Sequence, residues 1–399
     1  MAVAFDVVVI GGGMVGALAA NLLLQQDLRV ALVDRSSGQI TLSTAPSYDS
    51  RVSAISIHSQ ALFERAGVWG EINTERLTPY YHMQVWDGLG TGNIEFSCDD
   101  VHLDVLGHLV ENDVLSQGLL NQLSQYSSDF SSYFSASVVD IAQKQESVTV
   151  VLESGETIEA ATLVAADGAN SFVRELVGIK TKEWDYNHHA IVSTLEVDRS
   201  HENTAWQSFG DEGVLAFLPM PSYNGRHFVS IVWSVLPVDA SALLELDEHA
   251  FCQRVQYAIS SKFKVVSLQS KRIAIPLRQR HATHYVQNGI ALIGDAAHTI
   301  HPLAGQGANL GFADAGALAI VLGKAKKRGE SLTDERVLRR YQRLRMADNM
   351  RMAAAMEMFK RLYDKQTPAQ VLARNVGMTF VNKQQWLKNN IVQLAIGAQ

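Results

Sequence analysis

Three glycines in "VVIGGGMVGALAA", Gly11, Gly13 and Gly16, stand at the spacing G-x-G-x-x-G. That spacing suits a dinucleotide: one glycine for a tight turn, one for backbone approach to a pyrophosphate, one for close packing of helix on strand. Asp34 follows eighteen residues after Gly16, where a carboxylate accepts from a ribose hydroxyl; an acidic residue there favours an unphosphorylated adenosine ribose. A second stretch, "GDAAHTIHPLAGQGANLG", brings four glycines, two histidines and a proline together without a cysteine or a metal-ligand set, so no metal is expected. A third, Asp167-Gly168-x-x-Ser171-x-x-Arg174, places a carboxylate, a turn, a helix-capping hydroxyl and a guanidinium in a short span.

Each group needs a strand to carry it to one edge. The apolar run Val7 to Ile10 reads as a parallel strand covered on both faces, followed by a glycine turn, a helix and a second strand in "LRVALV". Leu163 to Ala166 reads as a strand that turns at Asp167 and Gly168 into a helix beginning near Ser171. Ile290 to Ile293 repeats the form before Gly294, Asp295 and a long apolar helix. Three strand ends then meet at one ligand edge, the place where open α/β sheets hold cofactors.

The chain has 399 residues, enough for two domains or one large α/β unit with a sizeable core. A net charge of −7 argues against a dedicated nucleic-acid binder, although Lys324 to Arg361 carries twelve basic against five acidic residues. Cys98 and Cys252 are the only cysteines and offer no disulfide framework, so a reducing cytoplasm is expected. The charge-free run Val7 to Leu24 reads as strand, turn and helix because glycines and Asn21 interrupt it; no other stretch reads as long enough to span a bilayer.

Taken in order, these three motifs resemble the single-component FAD aromatic hydroxylases of the p-hydroxybenzoate hydroxylase fold. Within that group "RVSAIS", "VWD", "GHLVEN", "AFLP", "GDAAHTIHPLAGQGANLGF" and "RYQRLRMADNM" are similar to the bacterial ubiquinone-biosynthesis hydroxylases, over essentially the whole chain. The resemblance implies an α/β fold: a Rossmann-like FAD-binding domain (1–81, 97–181, 271–345), an inserted β-sheet substrate domain (82–96, 182–270) and a C-terminal helical segment (346–399). It implies noncovalent FAD held by Gly11, Gly13, Gly16, Asp34, Arg51, His108, Asp167, Asp295, Gly307, Ala308 and Asn309. Asp295 would accept a ribose or ribityl hydroxyl, with helix capping as the alternative. Arg51 would approach the flavin and its diphosphate, or form a surface ion pair. Arg174 and Asp167 would serve the cofactor side or simply tie strand to helix.

Pro302, Gly305, Gln306 and Gly307 would form the loop nearest catalysis. Proline fixes φ, and glycines admit bare backbone to a flat ring, so N–H groups can face the flavin edge where negative charge collects. His298 and His301 need no chemical role there. The implied reaction is reduction of FAD by NADPH or NADH, formation of a C4a-hydroperoxide with O₂, and transfer of OH to a polyprenyl phenol or quinol. A single glycine fingerprint and no redox cysteine pair argue against a two-fingerprint disulfide reductase. A same-fold enzyme acting on another aromatic or isoprenoid substrate, and a non-catalytic flavin-binding subunit, are the rival readings.

Trp184, Tyr186, His188, His189, Phe217, Pro219 and Trp233 either line an aromatic pocket or fill a sheet core. The tail places Trp386, Leu387, Ile391, Leu394 and Ala395 at helical spacing beside Lys383 and Lys388. This is the pattern of a helix that packs on its own domain, on another copy in a homo-oligomer, or on the inner membrane and a biosynthetic complex there.

Overall fold

A computed structural model describes residues 5–43, 47–88, 90–126, 128–260, 262–299, 306–364 and 368–396. The glycine-loop strand Phe5–Ile10 lies between Thr157–Ala165 and Val30–Val33, parallel to both, and Ile290–Leu292 runs parallel beyond Thr157–Ala165. These four strands are the expected ones, and their carboxyl ends form one edge. Val148–Leu152 pairs antiparallel with Thr157–Ala165, completing the hairpin that "ESVTVVLESGETIEA" encodes. Burial is complete along Val7, Val8 and Val9, because helix Met14–Leu24 covers one face of this sheet and other chain covers the second.

The second sheet has nine strands, mostly antiparallel, running from His298–Thr299 through Ile273–Ala282, Thr181–Val197, Arg226–Val235, Gly213–Tyr223 and Thr204–Gly210 to His82–Asp87 and Asn93–Ser97. Thr181–Val197 and Ile273–Ala282 pair over ten residues within this sheet. The sheet takes in strand Ile273–Ala282 and the short strand His298–Thr299, whose residues follow directly from the Gly294 turn. One stretch of chain therefore leaves the cofactor edge and stitches onto the substrate sheet.

Period-two alternation sorts the second sheet into two faces. Val229, Ile231 and Trp233 join Phe217 and Leu215 in a core under helices Pro237–Glu245 and Glu248–Ala258. The intervening Ser230, Val232 and Ser234 face a cavity on the other side. Phe217 and Trp233 are thus core residues, while Trp184 is exposed and Tyr186 is buried beside Gln279. None of the seven aromatic, histidine and proline positions proposed for a pocket lines the cavity. Large rings fill the helix-covered face of Gly213–Tyr223 and Arg226–Val235, while on the cavity face those two strands keep Ala216, Leu218, Ser230, Val232 and Ser234, which leave room.

Helix Gln306–Lys327 contains one run, Gly307–Lys327, that is apolar and long enough to cross a membrane, contrary to the sequence expectation. It is mostly buried, packed between Met14–Leu24 and the 30-residue helix Glu335–Asp364, and its composition is explained by that core position. At the C-terminus, helix Gln385–Ile396 lays Ile391 and Val392 against Phe96, Cys98 and Leu106, and Lys388 is buried in a 2.9 Å ion pair with Asp100. Helix Pro368–Lys383 is anchored by the buried Arg374–Asp87 pair at 2.6 Å. Leu394 and Ala395 lie outside the residues whose side chains are described.

The three fingerprint glycines differ in what they exclude. A Cβ on Gly16 would lie 1.9 Å from the Gly11 carbonyl oxygen, and Gly11 itself, at φ +106°, would place one 2.4 Å from the Ala166 carbonyl. A Cβ on Gly13 meets no atom within 4 Å. Gly16→Ala is therefore expected to abolish soluble folded protein, whereas Gly13→Val folds with a near-normal melting temperature but takes up little FAD. A folded Gly16→Ala protein, or a Gly13→Val protein with full FAD content, contradicts this division.

Candidate cofactor and substrate site

A cavity of about 540 Å³ opens between the two sheets, bounded on one side by Gly13, Met14, Arg51, Asp295, Gly307 and Ala308. The N-terminus of helix Met14–Leu24 points into it with Gly13 at the cap and no side chain bonding the first turn, so its free N–H groups are available to an anion. Asp34 Oδ2 accepts from Gly12 N at 2.5 Å and Oδ1 from Ser36 N at 2.7 Å, which fixes the carboxylate beside the glycine loop with lone pairs to spare. Asp167 caps the next helix, accepting from Val173 N at 3.0 Å, while its Oδ1 is buried with no partner among the described residues. An orphaned acceptor, an open helix terminus and a cradle that any Cβ at Gly13 would enter all fit a dinucleotide.

Asp295 is surrounded by protein yet opens on the cavity; desolvation there pushes its pKa up, opposed by His298 and Arg51. Arg51 is exposed on the same cavity and makes no side-chain hydrogen bond among the described residues. Its loop is held from both domains. Glu111 accepts from Asp49 N at 2.6 Å and from Arg76 at 2.8 Å, and across the cleft Tyr48 donates to the Pro221 carbonyl at 2.9 Å. Burial raises the Glu111 pKa, and the Asp49 N–H and the Arg76 guanidinium counter it.

Other positions are placed differently. His108 faces away from the cavity, edge-on to Trp69 at 5.1 Å, and burial lowers its pKa; its neighbour Leu109 lines the cavity instead. The Asn309 amide bridges the Ala54 carbonyl at 2.7 Å and Ser56 N at 3.0 Å, so the side chain clamps helix to strand and does not face the cavity, while Gly307 and Ala308 do line it. Arg174 is buried and donates to the Ala169 and Ala296 carbonyls, both at 2.8 Å, tying two turns together. His301, Pro302 and Gly305 lie outside the described residues, as does the side chain of Gln306.

Sequence reading did not find the joint beneath this edge. Asp314, fully buried, accepts from His298 Nε2 at 2.5 Å, Arg345 Nε at 2.8 Å, Gly294 N at 3.1 Å and Asn349 Nδ2 at 3.2 Å. These donors hold its pKa below the usual carboxylate range against desolvation. The available signal was an aspartate inside the apolar run "GFADAGALAIVL" and an arginine in "RYQRLRMADN", unusual positions for charges unless they meet.

The substrate sheet supplies the other wall through Ala190, Val192, Ala216, Leu218, Val232 and Gln207. Tyr80 also lines the cavity, and burial lifts its hydroxyl to a pKa of about 12, which keeps it a donor. The arrangement can hold a dinucleotide along the parallel-sheet edge and a second, largely apolar ligand against the sheet floor.

Fold and site together define a dinucleotide-binding protein with a covered second-ligand chamber. The chain belongs to the family described as FAD binding domain, whose model matches residues 4–355. It is 33% identical to the Escherichia coli (strain K12) 3-demethoxyubiquinol 3-hydroxylase over 98% of both chains. It is also 33% identical to the Homo sapiens mitochondrial ubiquinone biosynthesis monooxygenase COQ6, over 98% of this chain and 92% of the relative. Among solved structures, the p-nitrophenol 4-monooxygenase PnpA of Pseudomonas putida DLL-E4 matches with TM-score 0.78 over the whole of both chains at 19% identity. PqsL of P. aeruginosa in complex with 2-aminobenzoylacetate matches with TM-score 0.78 over 94% of this chain and 99% of that one, at 22% identity. At these identities the structures establish the fold, and the cofactor is FAD.

Asp295→Ala removes an acceptor from the cofactor wall but no side-chain hydrogen bond among the described residues. FAD titration of the apo variant is expected to show affinity lower by about 1.5–3 kcal/mol, the range for hydrogen bonds to charged groups. Unchanged affinity would return Asp295 to a capping role.

Proposed function

We propose that this chain is an FAD-dependent monooxygenase that hydroxylates the aromatic ring of a polyprenyl phenol or quinol in ubiquinone biosynthesis, with NADPH or NADH and O₂ as co-substrates. Two full-length relatives at 33% identity, both named for hydroxylation or monooxygenation in that pathway, support the substrate class. The observation that carries the reading is a single cavity shared by the dinucleotide edge and an apolar sheet floor. FAD, when bound, supplies the electron transfer and oxygen activation. The helix terminus at Gly13 holds the diphosphate, and Asp34 and Asp295 accept sugar hydroxyls. Arg51 offsets negative charge on the cofactor, and the N–H groups near Gly307 and Ala308 lie where ring charge develops. The apolar floor excludes water and holds the phenol ring.

The test uses the purified protein loaded with FAD. Geranylphenol is expected to accelerate NADPH or NADH oxidation several-fold, with a product 16 mass units heavier by mass spectrometry. No stimulation with any prenylated phenol or quinol would favour a non-catalytic flavin-binding subunit, and stimulation without that product would favour a same-fold flavoenzyme whose substrate is another aromatic or isoprenoid compound.

A lipid substrate also needs delivery, and the outward face of the C-terminal helices suits it. Leu372, Val376 and Phe380 form one line along helix Pro368–Lys383, and Trp386 follows; all four are more than half exposed, with Lys383 beside them. Ile391 and Lys388, named with the tail, are occupied within the protein, so the contact shifts to this line. Its partner in this reading is the anionic inner-membrane surface or a biosynthetic complex there. Liposome flotation is expected to recover wild-type protein at low salt and far less of a Leu372→Ser, Phe380→Ser variant. Equal flotation of the two would leave the line without a membrane role.

A further inference from the structure

The small antiparallel sheet of Val52–Ser56, Gly107–Glu111 and Leu77–Tyr80 also borders the chamber, through Val52, Ala54, Leu109 and Tyr80. Gly107 and Leu109 share one face of their strand. A Cβ on Gly107 would lie 2.9 Å from both Cε1 and Oη of Tyr80. The phenol ring therefore lies across the bare Gly107 position on the chamber side, where any larger residue would displace it.

The two ends of Tyr80 meet different surroundings. Its ring packs with Met83 and Val85 of the second sheet and with Ile391 and Val392 of the last helix. Its hydroxyl meets no hydrogen-bond partner and no charge among the described residues: desolvation alone raises its pKa, to about 12. A hydroxyl withdrawn from bulk water without a partner is unfavourable, and Tyr80 lines the chamber, so a ligand there can supply the missing bond.

Other polar groups around the chamber are engaged or stand elsewhere. Ser53 donates to Asn112 at 2.7 Å. Of the buried polar atoms without a partner among the described residues, two belong to cavity residues, Trp206 Nε1 and Thr299 Oγ1. The Trp206 indole packs on Phe263 in the helix-covered core, and Thr299 follows the cofactor-side turn at Asp295.

The chemistry of a phenol sets the role. With its pKa raised, Tyr80 stays protonated, so it donates a hydrogen bond and does not act as a base. A substrate phenol ionises at a pKa of about 10, as a tyrosine does, and the phenolate is the more electron-rich ring for hydroxylation. A donor fixed in an apolar chamber stabilises charge on that oxygen.

Resting on the hydroxylase reading above, we infer that Tyr80 is a catalytic residue whose hydroxyl donates a hydrogen bond to the phenolic oxygen of the bound ring, holding the ring and favouring its ionised form. Tyr80 keeps its own proton, and the proton of the substrate passes to solvent.

The test compares wild type with Tyr80→Phe, which removes one oxygen and leaves the ring packing, and with Tyr81→Phe, which alters a neighbour outside the chamber. With FAD-loaded protein and 2-geranylphenol, Tyr80→Phe is expected to lose about tenfold in kcat/KM, the worth of one hydrogen bond to a charged group. FAD affinity and melting temperature should be retained. Bound 2-geranyl-4-nitrophenol, whose absorbance reports its ionisation without turnover, is expected to titrate about one pH unit higher in Tyr80→Phe than in wild type. Tyr81→Phe should match wild type in both measurements. An unchanged titration in folded Tyr80→Phe overturns the inference, as does an equal loss in Tyr81→Phe, a fall in FAD affinity in place of the titration shift, or a nitrophenol that does not bind wild type. Wild-type protein that hydroxylates no prenylated ring overturns the function, while the titration still decides the hydrogen bond from Tyr80.

Discussion

One buried carboxylate holds the cofactor edge together. Asp314 sits on helix Gln306–Lys327 and bonds Gly294 N, His298 and Arg345, which belong to the turn after a parallel strand, the crossing into the second sheet, and helix Glu335–Asp364. Gly294 with its neighbour Asp295, Thr299 next to His298, and Gly307 in the first turn of the helix line the cavity. Four donors around a fully buried acceptor compensate for desolvation that would otherwise be prohibitive, and removing any one leaves the rest uncompensated. The cofactor wall is thus a consequence of one ion cluster beneath it.

The second sheet divides structure from chemistry by side-chain period alone. Residues 229, 231 and 233 secure the sheet to its helices, and residues 230, 232 and 234 form a chamber floor. A one-residue register slip would exchange Trp233 for Ser234 and fill the chamber with an indole. The ten-residue pairing of Thr181–Val197 with Ile273–Ala282 fixes the register inside the second sheet, and Arg51's loop is fastened through Glu111 and Tyr48.

The parallel strands, the glycine turn and the hairpin at 148–165 were legible because local pattern dictates them: apolar runs under two-sided cover, glycines where a Cβ meets a carbonyl, alternation around a turn. The chamber was not. Aromatic content left Phe217 and Trp233 open between pocket and core, and their burial in the core shows that composition cannot tell the two faces of one strand apart. His108 lies one residue from Leu109, so its facing depends on register as well. Asp314 and Arg345 are 31 residues apart on different helices, and only folding brings them to 2.8 Å. Lys388 stands beside the apolar stripe in the sequence, and only folding brings Asp100 to it.

The central claim is that one chamber serves both the cofactor and the ring to be hydroxylated. A crystal structure of the FAD-loaded protein soaked with a short-chain prenylphenol tests it most directly. The account predicts the diphosphate on the Gly13 helix terminus, the flavin beside Gly307 and Ala308, and the phenol ring against the sheet floor over Ala216. A phenol bound outside this chamber, or a flavin whose reactive face turns away from the sheet floor, would contradict it.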